Sequence, residues 1–299
     1  MKITHLRHVA LVAPDRPASH AFFRDAWGLQ SVDADGATSY LRTQAAEPFQ
    51  LALLDGPQRR IERIAFGLAT RADVDAAAAE LARAGVEIVM SPRPLATPGG
   101  GYGLQFLDPD RRCIELSSDV AAAAPAPAAA TPEQLAHIVV NTPDIDRATA
   151  FYRELLGFRI SDWSEHVMCF LRCNAEHHSI AFNAAPHASY NHTSWTMDSI
   201  DALFRAQGRI RAAGSPLMWG TGRHGPGDQV FNYFIEPSGY VAELIADGIT
   251  IDDESAWEPT VWVRSPQFMD LWGTSGPPGA EVRAAMAGVP DPGYERSPA

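Results

Sequence analysis

The sequence predicts an α+β protein made of two tandem modules, each reading as a βαβββ unit twice over. Three observations carry this. First, the chain repeats itself. HVALVAPDRPASHAFFRDAWGL (8–29) aligns with HIVVNTPDIDRATAFYRELLGF (137–158) at an offset of 129 residues, and LQFLDPDRRCIELSSD (104–119) with NYFIEPSGYVAELIAD (232–247) at 128. A near-constant offset over that span marks an internal duplication. Second, the Ala/Pro-rich run SSDVAAAAPAPAAATPEQ (117–134) divides the copies and reads as a linker. Third, β-type runs alternate with helical patterns inside each copy, and sheets with helices on one face are the α+β arrangement. The expected organisation is an N-terminal module 1–118, a linker 119–134, a C-terminal module 135–275 and a tail 276–299.

Each element has a local reason. HIVVNT is β-rich and precedes a helix in which Ala148, Phe151, Leu155 and Phe158 fall on one face. Asp144 is its expected N-cap and Gly157 its stop. VMCFLRC and HSIAFNA then read as strands. A second helix follows in each module, ADVDAAAAELARAG in the first and SIDALFRAQGRIRAAG in the second, and further strands close each unit. The glycine run PGGGYG (98–103) lacks a strand-to-helix context and reads as a loop, not a phosphate cradle. The tail GVPDPGYERSPA (288–299) is rich in Pro and Gly and is expected to be mobile.

Composition narrows the function. A net charge of −12 and a pI near 5.2 give a surface that repels phosphate backbones, which argues against nucleic acid as a partner. No stretch approaches the ~18 apolar residues that would cross a membrane. Three cysteines, Cys113, Cys169 and Cys173, have no framework spacing, and MKITHLRHVALVAPD lacks a signal-peptide core. The expectation is a cytoplasmic protein with reduced, packed thiols.

The duplication lets one copy be read against the other. At the common offset the second module offers His137, His192 and Glu243, whereas the first offers His8, Arg63 and Glu115. Arginine is always cationic and ligates no metal, so a metal site is expected in the second module only, and His8 and Glu115 are expected to form a structural pair. Two imidazoles and one carboxylate on one face of an ion leave positions open for other ligands, the facial triad of non-haem Fe(II) chemistry. Glu243 lies on the apolar strand YVAELIA, and a buried carboxylate needs a partner. That partner is either a metal or an arginine. Alternation along the strand groups His177 with Ser179 and Ala181, and His178 with Ile180 and Phe182, and leaves open which group faces a site. His166 and His187 read as solvated loop residues. Trp163, Trp195 and Trp219 read as core, with pocket wall as the alternative.

RCNAEHHSIAF, NHTSW and above all GRHGPGDQVFNYFIEPSGYVAELIAD resemble the vicinal oxygen chelate superfamily, and within it the type I extradiol ring-cleavage dioxygenases. The resemblance spans roughly residues 3–275, and PTVWVRSPQFMDLWG (259–273) is similar to that family's C-terminal segment. It implies that the strands of each module form a curved, partly open barrel. It implies Fe(II), with Mn(II) the other ion, held by His137, His192 and Glu243, and O2 as co-substrate. His178 would be the acid–base, with His177 its competitor. His224 and Tyr233 would hydrogen-bond the bound diol, beside Val139. The implied reaction opens a catechol, a substituted one, next to its two hydroxyls to a hydroxymuconic semialdehyde, in aromatic compound degradation. The partner would be a small aromatic diol, and the protein a homo-oligomer. No arginine clamp for a substrate carboxylate stands out, with Arg223, Arg264 or a tail arginine as the candidates. Alternatives are another metalloenzyme of the superfamily, of glyoxalase or hydroxyphenylpyruvate dioxygenase type, or a binding protein that holds an aromatic ligand without chemistry.

Overall fold

The structure, a computed structural model, describes residues 1–32, 36, 38–126 and 128–294. The last five residues of the expected tail lie outside them. The first module opens with β1 (Leu6–Ala13), then α1 (Arg16–Ala21), which runs on as a π-helical turn over Phe22–Trp27. β2 (Gln30–Val32), β3 (Thr38–Arg42) and β4 (Leu51–Asp55) complete its first unit. The second unit is β5 (Arg60–Gly67), α2 (Arg71–Arg83), β6 (Ile88–Pro94), β7 (Tyr102–Leu107) and β8 (Cys113–Ser118).

The second module repeats the plan. β9 (Gln134–Thr142) leads to α3 (Ile145–Ala150) with its own π-helical turn (Phe151–Leu155), β10 (Arg159–Ser164), β11 (Met168–Arg172) and β12 (Ile180–Ala184). β13 (Ser189–Thr196), α4 (Ile200–Ala212), β14 (Trp219–Arg223), β15 (Val230–Ile235) and β16 (Val241–Ala246) follow. β17 (Thr260–Trp262), α5 (Pro266–Met269) and α6 (Ala280–Ala287) end the described chain. The βαβββ unit therefore occurs twice in each module, as the sequence predicts.

The strand order is β2-β3-β4-β1-β5-β8-β7-β6 in the first sheet and β14-β15-β16-β13-β9-β12-β11-β10-β17 in the second. Neither sheet closes into a full barrel. Within each unit the first strand pairs parallel with the last, as β9 does with β12 and β13 with β16. The two units of a module meet where their first strands run antiparallel, β1 beside β5 and β9 beside β13. The three strands β16, β13 and β9 consequently lie side by side at the centre of the second sheet.

α3 begins where Asp144 accepts a hydrogen bond from the Arg147 amide at 3.0 Å, and the segment ends at Gly157, whose φ of +81° favours glycine. The expected buried face needs a correction. Ala148, Tyr152 and Leu156 are fully buried, whereas Phe151 and Leu155 are only partly so. The wider π turn carries an extra residue, so the buried row advances by one position.

The modules share one apolar core and exchange contacts across it. Trp27 meets Phe234 edge-on at 5.8 Å and Phe66 meets Phe158 at 5.3 Å. The Tyr240 hydroxyl donates to the Val12 carbonyl at 2.6 Å. Arg209 of α4 donates to the carbonyls of Ala26 and Trp27, both at 2.9 Å, and so satisfies the C-terminus of α1. Arg112 is almost fully buried, pairs with Asp108 at 3.0 Å and Asp110 at 2.9 Å, and donates to the Asn141 carbonyl of the other module.

The C-terminal segment makes partners on both modules through residue 294. Val282 of α6 is completely buried. Within the stretch expected to be mobile, the Asp291 amide donates to the Ala188 carbonyl at 2.8 Å, and the Tyr294 amide donates to the Arg111 carbonyl at 2.9 Å.

Candidate metal centre and its cavity

Three neighbouring strands each contribute one side chain to the same point. His137 comes from β9, His192 from β13 and Glu243 from β16. One ligand atom of each lies within 4.8 Å of the other two, and all three residues are buried. His137 Nε2 is 3.3 Å and His192 Nε2 3.4 Å from Glu243 Oε2. In the register, Ser194 stands opposite both Glu243 and His137, so a small residue separates the two ligand strands. A bulge between Tyr190 and His192 breaks the alternation of β13, so Asn191 and His192 both reach the cavity.

The residues fit a cation. Both carboxylate oxygens of Glu243 are buried, and neither receives a hydrogen bond among the described residues. Burial alone would raise its pKa, yet His137, His192 and His224 outweigh burial and hold the carboxyl well below its usual range. Burial, against the opposing pull of Glu243, lowers His137 to about 4, which keeps the ring neutral and able to ligate. His192 Nδ1 lies 2.8 Å from Asn191 Oδ1, which leaves Nε2 free to face the carboxylate. Such a buried, unsatisfied carboxylate between two imidazoles is costly unless a cation completes it.

Among the described residues the first module carries no such centre. Arg63 pairs with Glu115 at 3.3 Å, Gln105 donates to Glu115 at 2.9 Å, and the Phe49 ring lies 4.4 Å from the His8 ring. The expected His8–Glu115 pair is therefore corrected to an Arg63–Glu115 pair. Among the described residues both ring nitrogens of His8 lack partners, and burial followed by Arg63 pushes its pKa far down.

His178 stands beside the ligands, its ring 3.9 Å from that of His137. It precedes β12 and so escapes the alternation that grouped it with Ile180 and Phe182, both of which face the core. His177 turns away from the cavity, its Nε2 3.1 Å from Asp162 Oδ2 and its Nδ1 2.9 Å from His178 Nδ1. Burial, then His137 and His177, keep His178 well below the usual histidine range. His224 Nδ1 lies 2.9 Å from the Met269 carbonyl, so it carries the hydrogen and donates. His224 Nε2 then accepts from the Tyr233 hydroxyl at 3.1 Å. Burial, then Glu243, raise the Tyr233 pKa well above its usual value, so the phenol stays protonated.

These residues line a cavity of about 550 Å³. Val139, Met168, Phe170 and Trp219 form apolar wall, and Trp262, Phe268 and Met286 close it from the C-terminal segment. Trp219 is buried in a small core cluster with Phe231 and Tyr233 and also forms pocket wall, and Trp195 is core. Arg264 and Arg283 border the cavity. Arg223 is taken up by Asp228 and Asp247. His166 is exposed and pairs with Asp146 at 2.9 Å. His187 is partly buried, with its Nε2 enclosed and unpartnered, and does not border the cavity. Burial pushes the Cys169 thiol up to about 12, as expected of a packed cysteine.

Sequence reasoning missed Asp162 and the asparagines. Asn191 Nδ2 donates to Asn141 Oδ1 at 3.0 Å, and Asn141 Nδ2 donates to the Met286 carbonyl at 2.8 Å, which links the ligand strand to α6. The tail helix finds its partner only in the folded chain, so no local pattern announced this network.

The Glyoxalase/Bleomycin resistance protein/Dioxygenase superfamily model matches residues 5–116 and 134–244, one match per module. The chain belongs to this superfamily. It is 27% identical to metapyrocatechase 2 of Cupriavidus necator over 90% of this chain and 89% of that one. It is 27% identical to the manganese-dependent 2,3-dihydroxybiphenyl 1,2-dioxygenase of Geobacillus genomosp. 3, covering 87% and 90%. Among solved structures, the Mn(II)-bound glyoxalase from Novosphingobium aromaticivorans superposes with a TM-score of 0.89 at 36% identity, over 94% of each chain.

Proposed function

We propose that the protein is an extradiol dioxygenase that opens a substituted catechol with O2 to a hydroxymuconic semialdehyde-type product. The observation that carries this is the pairing of a buried His137–His192–Glu243 set with His178, His224 and Tyr233 on one apolar cavity. Relatives named as diol dioxygenases along nearly the whole chain support it. Fe(II) is the proposed ion, and Mn(II) is the other ion this donor set suits. When bound by His137, His192 and Glu243, the metal would act as a Lewis acid and make a diol hydroxyl easier to deprotonate.

The chain's own residues supply the rest. His178, neutral and beside the ligand set, takes the remaining diol proton and returns it to oxygen later. Tyr233 hydrogen-bonds the diol without adding charge, and donating to it requires its one hydrogen to turn away from His224 Nε2. Val139, Met168 and Phe170 exclude water and leave room for an apolar ring substituent. The substrate is therefore proposed to carry an alkyl or aryl group. Work in the cytoplasm and assembly as a homo-oligomer complete the proposal. Among the described residues no helix is long and apolar enough to cross a membrane.

A glyoxalase reading draws on the name of the Novosphingobium structure. The closed Arg63–Glu115 pair argues against ligands from both modules, and the glyoxalase reading gives His178, His224 and Tyr233 no role. Oxygen uptake by Fe(II)-loaded protein with a panel of catechols, beside hemithioacetal isomerisation as the competing assay, separates the two. Turnover of hemithioacetal alone would establish the glyoxalase reading.

A further inference from the structure

Asp162 takes no part in the triad, yet it is 2% exposed and sits at the junction of two structures the site depends on. Its Oδ1 accepts from the Thr260 amide at 2.7 Å, and its Oδ2 accepts from Trp262 Nε1 at 2.7 Å. Thr260 and Trp262 belong to β17, the start of the segment that closes the cavity with Trp262, Phe268 and Met269. The same Oδ2 lies 3.1 Å from His177 Nε2, and His177 Nδ1 lies 2.9 Å from His178 Nδ1. His177 is 1% exposed, so water does not compete along this chain.

With His177 as a neutral ring, the hydrogens can be placed by elimination; a doubly protonated His177 would instead donate through Nδ1 and leave His178 as Nε2–H. As a carboxylate, Asp162 only accepts. His177 Nε2 must then carry a hydrogen, which in the neutral ring leaves Nδ1 as a lone pair. The Nδ1–Nδ1 contact needs one hydrogen, and it has to come from His178. His178 is thereby held as the Nδ1–H tautomer, and the nitrogen it leaves to the cavity is an unprotonated Nε2. That is the form a proton acceptor requires.

We propose that Asp162 and His177 are positioning residues that fix the tautomer of His178, with Asp162 tying that setting to the docked β17 segment. Removing the acceptor at position 162 releases the setting. In D162A nothing holds the hydrogen on His177 Nε2, so His177 Nδ1 can also donate to His178 Nδ1, and part of the His178 population takes the Nε2–H form, which cannot accept a proton. Only the kinetic arm of this inference rests on the dioxygenase reading.

The test is ¹⁵N-histidine NMR of the full-length, metal-free protein, with His178 assigned through H178Q, for wild type, D162A and H177F. H177F leaves Asp162 and its β17 contacts in place and removes the partner of His178 Nδ1. The expected result is Nδ1–H at His178 in wild type and a mixture of tautomers in both variants. In the metal-loaded protein, kcat for a catechol falls several-fold in H177F, in proportion to the Nε2–H fraction of His178, while KM and metal content stay within about twofold. If D162A fails to fold, H177F carries the test alone. Nε2–H at His178 in wild type, or a tautomer unchanged in the variants that fold, overturns the proposal. Should the tautomer change as expected in a protein that turns over no catechol, the positioning stands and the dioxygenase reading falls.

Discussion

At the scale of single residues, the proposed site divides into groups that hold an ion and groups that handle a proton. The two carboxylate oxygens of Glu243 have no hydrogen-bond donor, so the account predicts that H192A and E243Q lose nearly all bound metal by elemental analysis. H178A touches no ligand position and is expected to keep its metal while kcat falls about 10²–10⁴-fold, the usual range for a missing acid–base. Equal metal loss in all three would contradict the division of roles. His192 was legible in the sequence because Arg63 stands opposite it in the first copy. The choice between His177 and His178 was not legible from alternation, because both residues precede β12 and obey no strand period. Asp162 was invisible for another reason. Its partners, Thr260 and Trp262, lie about a hundred residues on and meet it only once β17 pairs with β10.

At the scale of elements, the central strands fix the ligands and the C-terminal segment shapes what can bind. Val282 anchors α6, whose Met286 forms cavity wall. Burial of such a side chain is worth about 1.5–3 kcal/mol, and a carboxylate in its place would be unpaired. V282D is therefore expected to release α6, lower the Tm by several degrees and raise KM for an aryl catechol more than for catechol itself. Equal changes in KM for both substrates would mean that α6 does not line the substituent's place. The sequence reading assigned residues 276–299 to a tail and did not foresee α6, since Pro and Gly report bends and not partners. The π turns in α1 and α3 escaped it too. Hydrophobic periodicity assumes 3.6 residues per turn, and one extra residue moves the buried row from Phe151 and Leu155 to Tyr152 and Leu156.

At the scale of the whole molecule, duplication explains both the fold and the asymmetry of the site. The repeat of HIVVNTPD against HVALVAPD made the two-module plan readable, and the matching units share one continuous core. Arg112 links the modules by joining Asp108 and Asp110 of one to the Asn141 carbonyl of the other. Removing it alone strands buried carboxylates, so R112M is expected to cost about 3–5 kcal/mol in chemical denaturation, and the double variant R112M/D108N less than the sum of the single ones. Strict additivity would mean that the pair is not coupled. Among the described residues only one copy offers a ligand set, so the protein should bind one metal ion per chain, and adding excess ion should not populate the first module. The most direct measurement is oxygen uptake by anaerobically Fe(II)-loaded protein, with metal content measured on the same sample, across catechol and its alkyl and aryl derivatives. The account predicts one O2 consumed per diol, a yellow ring-opened product and loss of both on chelation of the metal. A protein carrying one Fe(II) per chain that consumes no oxygen with any of these diols would contradict it.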